Sequence, residues 1–445
     1  MKRLVVLGAG ESGVGTAILA QKEGYDVFVS DMGCIKDNYK EQLTAHSLAW
    51  EEKHHTEELI LNADEIVKSP GIPGDAPMVK KAVEKGIPIL SEIEFAGRYT
   101  DARMICITGS NGKTTTTSLI FHILQKAGFS VGLAGNIGRS MALQVATTSP
   151  EWFVLEISSF QLENMYDFRA NIAVLLNITP DHLDRYDYKM QGYVDAKMRI
   201  IRNQQPTDYF IYWKDDEYIE KELKKYDETA HLCTFADERK EGVTGYAENG
   251  SFVLTAPADF KMTVAELALQ GRHNVRNSLA AAAAALAAGV PEQTIREGLQ
   301  DFRGVPHRLE KVGTVDGVHY INDSKATNVD ACYYALDAMT TPVVLIIGGK
   351  DKGNDYNEIL PLVKEKCRAL VFLGADNTKL KDFFRSTGIT IADTHSMKDC
   401  VEACKALAHQ GDTVLLSPCC ASFDLFNNMA ERGNMFKEMV LNQAK

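Results

Sequence analysis

No stretch of this chain approaches the roughly 18 unbroken apolar residues needed to cross a bilayer. Nor is there a basic surplus for nucleic acid or an anionic membrane surface. Against 48 Lys and Arg stand 60 Asp and Glu, a formal net charge of −12. That sign leaves anionic small substrates open, since they need only a local basic pocket. The nine cysteines lack paired metal-site spacing, and adjacent Cys419 and Cys420 are too constrained to bridge each other. An odd thiol count without a secretory signal favours reduced side chains in a cytoplasm. Met1-Lys2-Arg3 resembles the basic start of such a signal only briefly, before the chain turns to glycines. What remains is an ordinary globular composition, 45% hydrophobic and 24% charged, and 445 residues suit about three domains. The expectation is a cytoplasmic monomer with no nucleic-acid or membrane partner.

The most informative stretch is Thr108-Gly109-Ser110-Asn111-Gly112-Lys113-Thr114-Thr115. Met104-Ile105-Cys106-Ile107 before it reads as a buried strand. Thr115 to Ala127 reads as a helix with Leu119, Ile120, Ile123 and Leu124 on one face. Such a turn aims backbone N–H groups and a helix N-terminus at one point, which suits a phosphate chain. Lys113 supplies a cation for the outer phosphates, and the Thr114 hydroxyl can ligate magnesium. The turn is two residues shorter than G-x-x-x-x-G-K-[ST], but its strand-loop-helix context points to ATP.

Three α/β stretches follow one another. In the first, strand Leu4 to Leu7 leads into Gly8-Ala9-Gly10-Glu11-Ser12-Gly13, a helix to Gly24, and a strand from Tyr25 that ends at Asp31. This is G-x-G-x-x-G with an acid about 20 residues on, a fingerprint that serves any pyrophosphate. Ser69-Pro70-Gly71-Ile72-Pro73-Gly74 adds turn chemistry. The second stretch, from about Arg103, carries the phosphate loop and strands Trp152 to Ile157, Ile172 to Ile178 and Tyr209 to Trp213. The third has strands Val318 to Ile321, Pro342 to Ile347, Ala369 to Leu373 and Thr413 to Leu416. The repeated alternation argues for a parallel sheet in each.

Glu156 ends an apolar strand, where α/β sheets place their sites, and could hold magnesium or form a structural salt bridge. His182 closes a second strand of the same sheet, in Asn177-Ile178-Thr179-Pro180-Asp181-His182. Lys197, judged on periodicity alone, is an exposed lysine on a helix. Asn274 suits a helix cap; with Asn277 one turn on, it could instead read an adenine edge. Arg308 and Lys325 are candidate clamps for phosphate or carboxylate. Asp323 could take a ribose hydroxyl or orient the lysine. Gly348-Gly349-Lys350-Asp351-Lys352-Gly353 and Ser417-Pro418-Cys419-Cys420-Ala421-Ser422-Phe423-Asp424 both follow buried strands.

Together these motifs, with Glu156-Ile157-Ser158-Ser159, His273-Asn274, Pro306-His307-Arg308 and Asn322-Asp323-Ser324-Lys325-Ala326-Thr327-Asn328, resemble the Mur ligases. These are ATP-dependent amide-bond formers of peptidoglycan precursor synthesis, and the shortened phosphate loop is the family's own variant. Ser158-Ser159-Phe160-Gln161 and the two C-terminal turns look most like the branch that adds D-glutamate to UDP-N-acetylmuramoyl-L-alanine. The Asp-Asn-Pro-Arg signature of the diaminopimelate-adding relatives is absent, because Thr378 follows Asp376-Asn377. The resemblance implies three domains: a Rossmann-like UDP-sugar domain over 1–99, a P-loop ATPase-like parallel sheet over 100–304, and a Rossmann-like amino-acid domain over 305–445. It implies ATP at Gly109 to Thr115, Asn274, Asn277, Arg308, Asp323 and Lys325. Two Mg2+ ions would be held through Thr114, Glu156, His182 and a carbamylated Lys197. The UDP-substrate would meet Gly10, Glu11, Ser12, Asp31, Met32, Ser69, Gly71, Asn136, Ser158 and Gln161. D-glutamate would meet His307, Thr327, Lys352, Ser422 and Phe423. Met429 stands where the family often has Phe. Folylpolyglutamate-type and other Mur-type ligases share the ATP site and differ in acceptor. A nicotinamide dehydrogenase accounts only for the first 100 residues and leaves Lys113 unexplained.

Overall fold

The computed structural model describes residues 1–443 apart from Glu228 and Lys352. The chain divides into two compact units, Met1–Leu267 with Arg276–Phe302, and Ala268–Val275 with Arg303–Lys445.

The first unit holds two sheets. Strands β1 (Arg3–Leu7), β2 (Asp26–Asp31), β3 (Ala49–Glu52), β4 (Glu65–Lys68) and β5 (Ile89–Leu90) form a parallel sheet in the order β3-β2-β1-β4-β5. Both faces of β1 are covered: Leu4 and Val6 pack in one cluster, Val5 and Leu7 in another. A strand buried on both faces reads as an unbroken apolar run. The strand order reverses at β1 and β4, which opens a crevice beyond their carboxyl ends. The second sheet comprises β6 (Arg103–Thr108), β7 (Val131–Gly135), β8 (Trp152–Glu156), β9 (Ile172–Leu175), β10 (Tyr209–Trp213), β11 (His231–Ala236), β12 (Gly245–Glu248), β13 (Ser251–Leu254) and β14 (Phe260–Thr263), in the order β14-β13-β12-β11-β10-β9-β6-β8-β7.

The sheet of the second unit comprises β15 (Glu310–Val315), β16 (Val318–Asn322), β17 (Val343–Gly348), β18 (Cys367–Leu373), β19 (Thr390–Thr394) and β20 (Thr413–Cys419), ordered β15-β16-β20-β17-β18-β19. Its two faces are buried separately, with Leu345 and Leu370 on one side and Val344 and Val371 on the other.

The three-sheet α/β architecture stands as expected, with two corrections. Parallel pairing is not complete, because β12-β13-β14 and β15-β16 are antiparallel. The strand expected over Ile172 to Ile178 ends at Leu175, because Asn177 and Thr179 turn aside to brace the phosphate loop. Among the described residues no helix is long and apolar enough to cross a membrane.

Candidate active site

The phosphate loop lies between β6 and the helix Lys113–Lys126, which opens two residues before the expected Thr115. Gly112 caps it at φ 83°, and a Cβ there would lie 2.4 Å from Asn277 Oδ1, so only glycine suits the position. Asn177 braces the loop from both sides: its Oδ1 accepts from Asn111 N at 2.8 Å, and its Nδ2 donates to Asn111 O at 3.1 Å. Ser110 Oγ donates to Thr179 O and accepts from Thr179 N. Lys113 Nζ bends back over the loop onto Gly109 O (2.7 Å) and Ser110 O (2.8 Å). Thr114 and Thr115 are buried in the first helical turn.

Glu156 ends β8 with only 1% of its surface exposed. Its Oε1 accepts from Asn136 Nδ2 at 2.7 Å, while the buried Oε2 has no hydrogen-bond donor. A buried carboxylate oxygen left open is costly unless a cation or donor meets it, and this open oxygen fits a divalent ion. His182 sits at φ 52° with its ring 5.2 Å edge-on from Phe160. Among the described residues no three His, Cys, Asp or Glu side chains gather into a metal cluster.

Lys197 overturns the periodicity reading. It is 1% exposed, donates to Gly109 O at 2.8 Å and lies 4.6 Å from the Tyr193 ring centroid. Burial, helped by the Lys113 cation, pushes its ammonium well below the usual lysine range, against the pull of Asp181 and Glu156. Asn274 is also corrected. It is no helix cap, for its Nδ2 donates to Gln270 O from inside the first turn of Arg272–Ala287.

On the first sheet, the turn after β1 is tight enough that a Cβ on Gly13 would fall 1.9 Å from Gly8 O. Asp31 accepts from Ala9 N through Oδ2 and from Gly33 N through Oδ1, both at 2.7 Å, so the fingerprint acid holds the turn itself. Gly10 O accepts from Val14 N, and Glu11 Oε1 accepts from Ser140 N at 3.3 Å. Ser12 O accepts from Thr16 Oγ1, and Ser69 Oγ reaches Gly8 O at 3.4 Å. Met32 and Gly71 are exposed. Ser158 and Gln161 form a reciprocal capping box at the start of the turn Ser159–Leu162.

In the second unit the adjacent strands β16, β20 and β17 end together. His307, at φ 63°, is buried, and its Nδ1 accepts from Asn322 Nδ2 at 2.9 Å. Burial pushes Asp323 up to about 6, opposed by the Arg308 charge; its oxygens accept from Leu309 N and Ser417 Oγ. Arg308 Nε is buried without a hydrogen-bond acceptor. Lys325 and Thr327 are half-buried, Ser422 is buried and Phe423 is 69% exposed. Lys352 lies outside the described residues. Met429 contributes its carbonyl, which accepts from Ser324 Oγ.

Sequence reasoning passed over the Asn177 brace and Arg432. Arg432, 1% exposed, donates to Ser324 Oγ, Ser324 O and Cys420 O, tying the loop after β16 to the loop after β20. Nothing local marks it, because its partner Ser324 is 108 residues away.

Residues 3–78 match the MurD N-terminal domain, 107–285 the Mur ligase middle domain, and 307–420 the Mur ligase glutamate ligase domain. A UDP-N-acetylmuramoylalanine–D-glutamate ligase of Bacteroides thetaiotaomicron is 61% identical over 441 residues, 99% of each chain. The chain belongs to the Mur ligase family. A Porphyromonas gingivalis ligase of the same name is 56% identical over 442 residues, 99% of this ligase and 98% of that one. Solved structures with the same fold include the UDP-N-acetylmuramate–alanine ligase MurC of Thermotoga maritima, with TM-score 0.62, 18% identity, and 99% and 100% of the two chains covered. MurF of Thermotoga maritima in complex with ADP has TM-score 0.62 and 15% identity, with 100% and 98% covered.

Proposed function

We propose that this ligase joins D-glutamate to UDP-N-acetylmuramoyl-L-alanine at the expense of ATP, releasing ADP and phosphate. The observation that carries the reading is the meeting of the Lys113 and Lys197 amines on Gly109 O of the phosphate loop, with the open Glu156 Oε2 at the end of the adjacent strand β8 and its charge acting on Lys197. The relatives' shared name supplies the acceptor. The γ-phosphoryl group passes to the L-alanine carboxylate, giving an acyl phosphate and ADP. The D-glutamate amine attacks that carbonyl, and the tetrahedral intermediate expels phosphate and a proton. Lys113 offsets charge on the moving phosphoryl group, and the N–H groups of Gly112 to Thr114 orient its neighbours. Thr114, Glu156, His182 and a carbamylated Lys197 would hold two magnesium ions, which supply charge neutralisation of the phosphate oxygens.

The domains run 1–99, 100–304 and 305–445, binding UDP-sugar, ATP and amino acid in turn. Asn274, Asn277, Arg308, Asp323 and Lys325 serve ATP; His307, Thr327, Lys352, Ser422 and Phe423 serve D-glutamate. The enzyme works as a monomer in the cytoplasm, a reducing compartment that suits its nine free thiols. The test is ADP release with UDP-N-acetylmuramoyl-L-alanine and, in turn, D-glutamate, L-lysine and diaminopimelate. Release with D-glutamate alone is expected; turnover with another acceptor reassigns the ligase within its family.

A further inference from the structure

The loop that leads into β15 is bent in a way that side chains resist. His307 stands at φ 63° and Leu309 at φ 43°, left-handed backbone that residues other than glycine keep only where their surroundings hold them. Two carboxylates do the holding. Glu310 Oε2 accepts from His307 N at 2.9 Å, and Asp323 Oδ1 accepts from Leu309 N at 3.2 Å. His307 O in turn accepts from Lys325 N at 3.1 Å. Arg308, between the two bent residues, keeps its Nε buried with no acceptor.

The same Glu310 oxygen reaches the imidazole ring through a second partner. Glu310 opens β15 and is the direct cross-strand partner of Asn322 on β16, and its Oε2 also accepts from Asn322 Nδ2 at 3.0 Å. Asn322 is fully buried, and its Oδ1 is taken by Ser324 N at 3.1 Å. The amide must therefore turn its NH2 towards Glu310 and towards His307 Nδ1, 2.9 Å away. A ring nitrogen that accepts carries no hydrogen, so the neutral His307 holds its one hydrogen on Nε2. Gly433 leaves room for this, since a Cβ there would fall 2.2 Å from His307 Nδ1. The other Glu310 oxygen, Oε1, accepts at 2.9 Å from Lys437 Nζ on the helix Met429–Gln443. Burial works against the Glu310 charge, yet the bonds from His307 N and Lys437 hold it below the usual carboxylate range. Burial also depresses His307, against the Glu310 charge, so the ring is neutral.

One carboxylate thus fixes both a strained backbone and the tautomer of the ring that this backbone carries. We propose that Glu310 is a positioning residue for the ligase reaction: it sets the His307–Leu309 loop and the Nε2–H form of His307, so that the consecutive residues His307 and Arg308 are held ready for D-glutamate and ATP. Lys437 keeps that carboxylate in place from the C-terminal helix. This rests on the assignment of His307 to D-glutamate and Arg308 to ATP in the proposed function.

The experiment follows ADP release by the full-length protein with UDP-N-acetylmuramoyl-L-alanine as D-glutamate and ATP are varied in turn. Glu310→Ala should raise KM for both by about tenfold, the effect of losing one charge-assisted bond. KM for the UDP-linked substrate should stay within about twofold. Glu310→Gln keeps an acceptor for His307 N and should remain within about threefold of wild type throughout. A role confined to stability would lower the folded fraction, and with it kcat, and leave KM alone. Nitrogen-15 NMR of histidine-labelled protein, with His307→Gln to assign the ring, gives a second readout. At about pH 8, above the histidine range, wild type should show hydrogen on Nε2 and none on Nδ1, and Glu310→Ala should mix the two tautomers. An Nδ1–H ring in wild type overturns the role of Glu310 whether or not Glu310→Ala folds, as do KM values for D-glutamate and ATP that stay within about twofold in that variant. Wild type that releases no ADP with D-glutamate overturns the proposed function instead, and the ring spectrum then decides whether Glu310 sets His307.

Discussion

Lys197 is where a single residue decides most. Burial and the Lys113 charge disfavour the Lys197 ammonium; once its proton leaves, the amine beside Gly109 O has a lone pair to which carbon dioxide can add, so that the amine and CO2 give a carbamate and one proton. The remaining N–H can still donate to Gly109 O. An ammonium held in the same place beside Lys113 would face repulsion on the order of 1–4 kcal/mol at about 4 Å in a surface-like dielectric. The carbamate instead offers the oxygen donors that magnesium prefers. Labelling with carbon-13 bicarbonate should therefore give a carbamate resonance in wild type that Lys197→Ala lacks. Activity should fall when dissolved carbon dioxide is stripped. Lys197→Ala should be nearly inactive and partly restored by a short added carboxylate. Near-normal turnover of the alanine variant, with no carbamate resonance in wild type, returns Lys197 to a structural role. The sequence hid this burial because helical periodicity locates a residue on its own helix and cannot see that β6 and its loop cover that face.

Helix starts carry the next consequence. Glu92 is buried and accepts from Ser140 Oγ and from the N–H of Ala142, at the head of the helix Met141–Thr147. Burial, with the Glu11 charge adding, pushes its carboxyl up to about 7, from a model-peptide value of 4.5, against the bonds from Ser140 and Ala142. The folded state thus holds a proton that the unfolded chain releases earlier. Glu92 costs nothing below about pH 4, its cost builds between about 4.5 and 7, and above 7 it reaches about 3 kcal/mol. Glu92→Gln keeps an acceptor oxygen for both donors. Its thermal midpoint should exceed that of wild type at pH 8 and converge with it near pH 4; a constant gap across that range would remove ionisation as the cause. Other elements were legible to unequal degrees. The strand, loop and helix of 103–126 are contiguous, so local pattern sufficed. Two of the antiparallel hairpins had their own marks, Asn249-Gly250 between β12 and β13 and Asp316-Gly317 between β15 and β16, all four residues at positive φ. Such dipeptides are strong hairpin signals, and the alternation argument passed over them. The Asn177 brace and the Arg432 tie had no local mark at all, because each joins segments far apart in the chain.

Across the whole molecule, the three motif sets lie at the carboxyl ends of three separate sheets, so the proposed function can give the dinucleotide-like fingerprint to the UDP-substrate and the Gly109–Thr115 loop to ATP. The sequence carried this arrangement well, since each sheet announces itself by its first strand and turn. Separate sheets make separate sensitivities. Lys113→Ala removes the cation from the outer phosphates and two bonds that close the loop over Gly109 O and Ser110 O. Loss of one preorganised charge-stabilising donor costs about 3 kcal/mol or more in the transition state, so turnover should fall by at least about a hundredfold. Binding of UDP-N-acetylmuramoyl-L-alanine, which the proposed function assigns to the turn after β1, should stay within about twofold of wild type by calorimetry, and NAD should bind neither protein at comparable concentration. Turnover within about threefold of wild type would remove ATP from the Gly109–Thr115 loop. A matched loss of UDP-substrate affinity would instead mean that the two sheets of the first unit do not act independently.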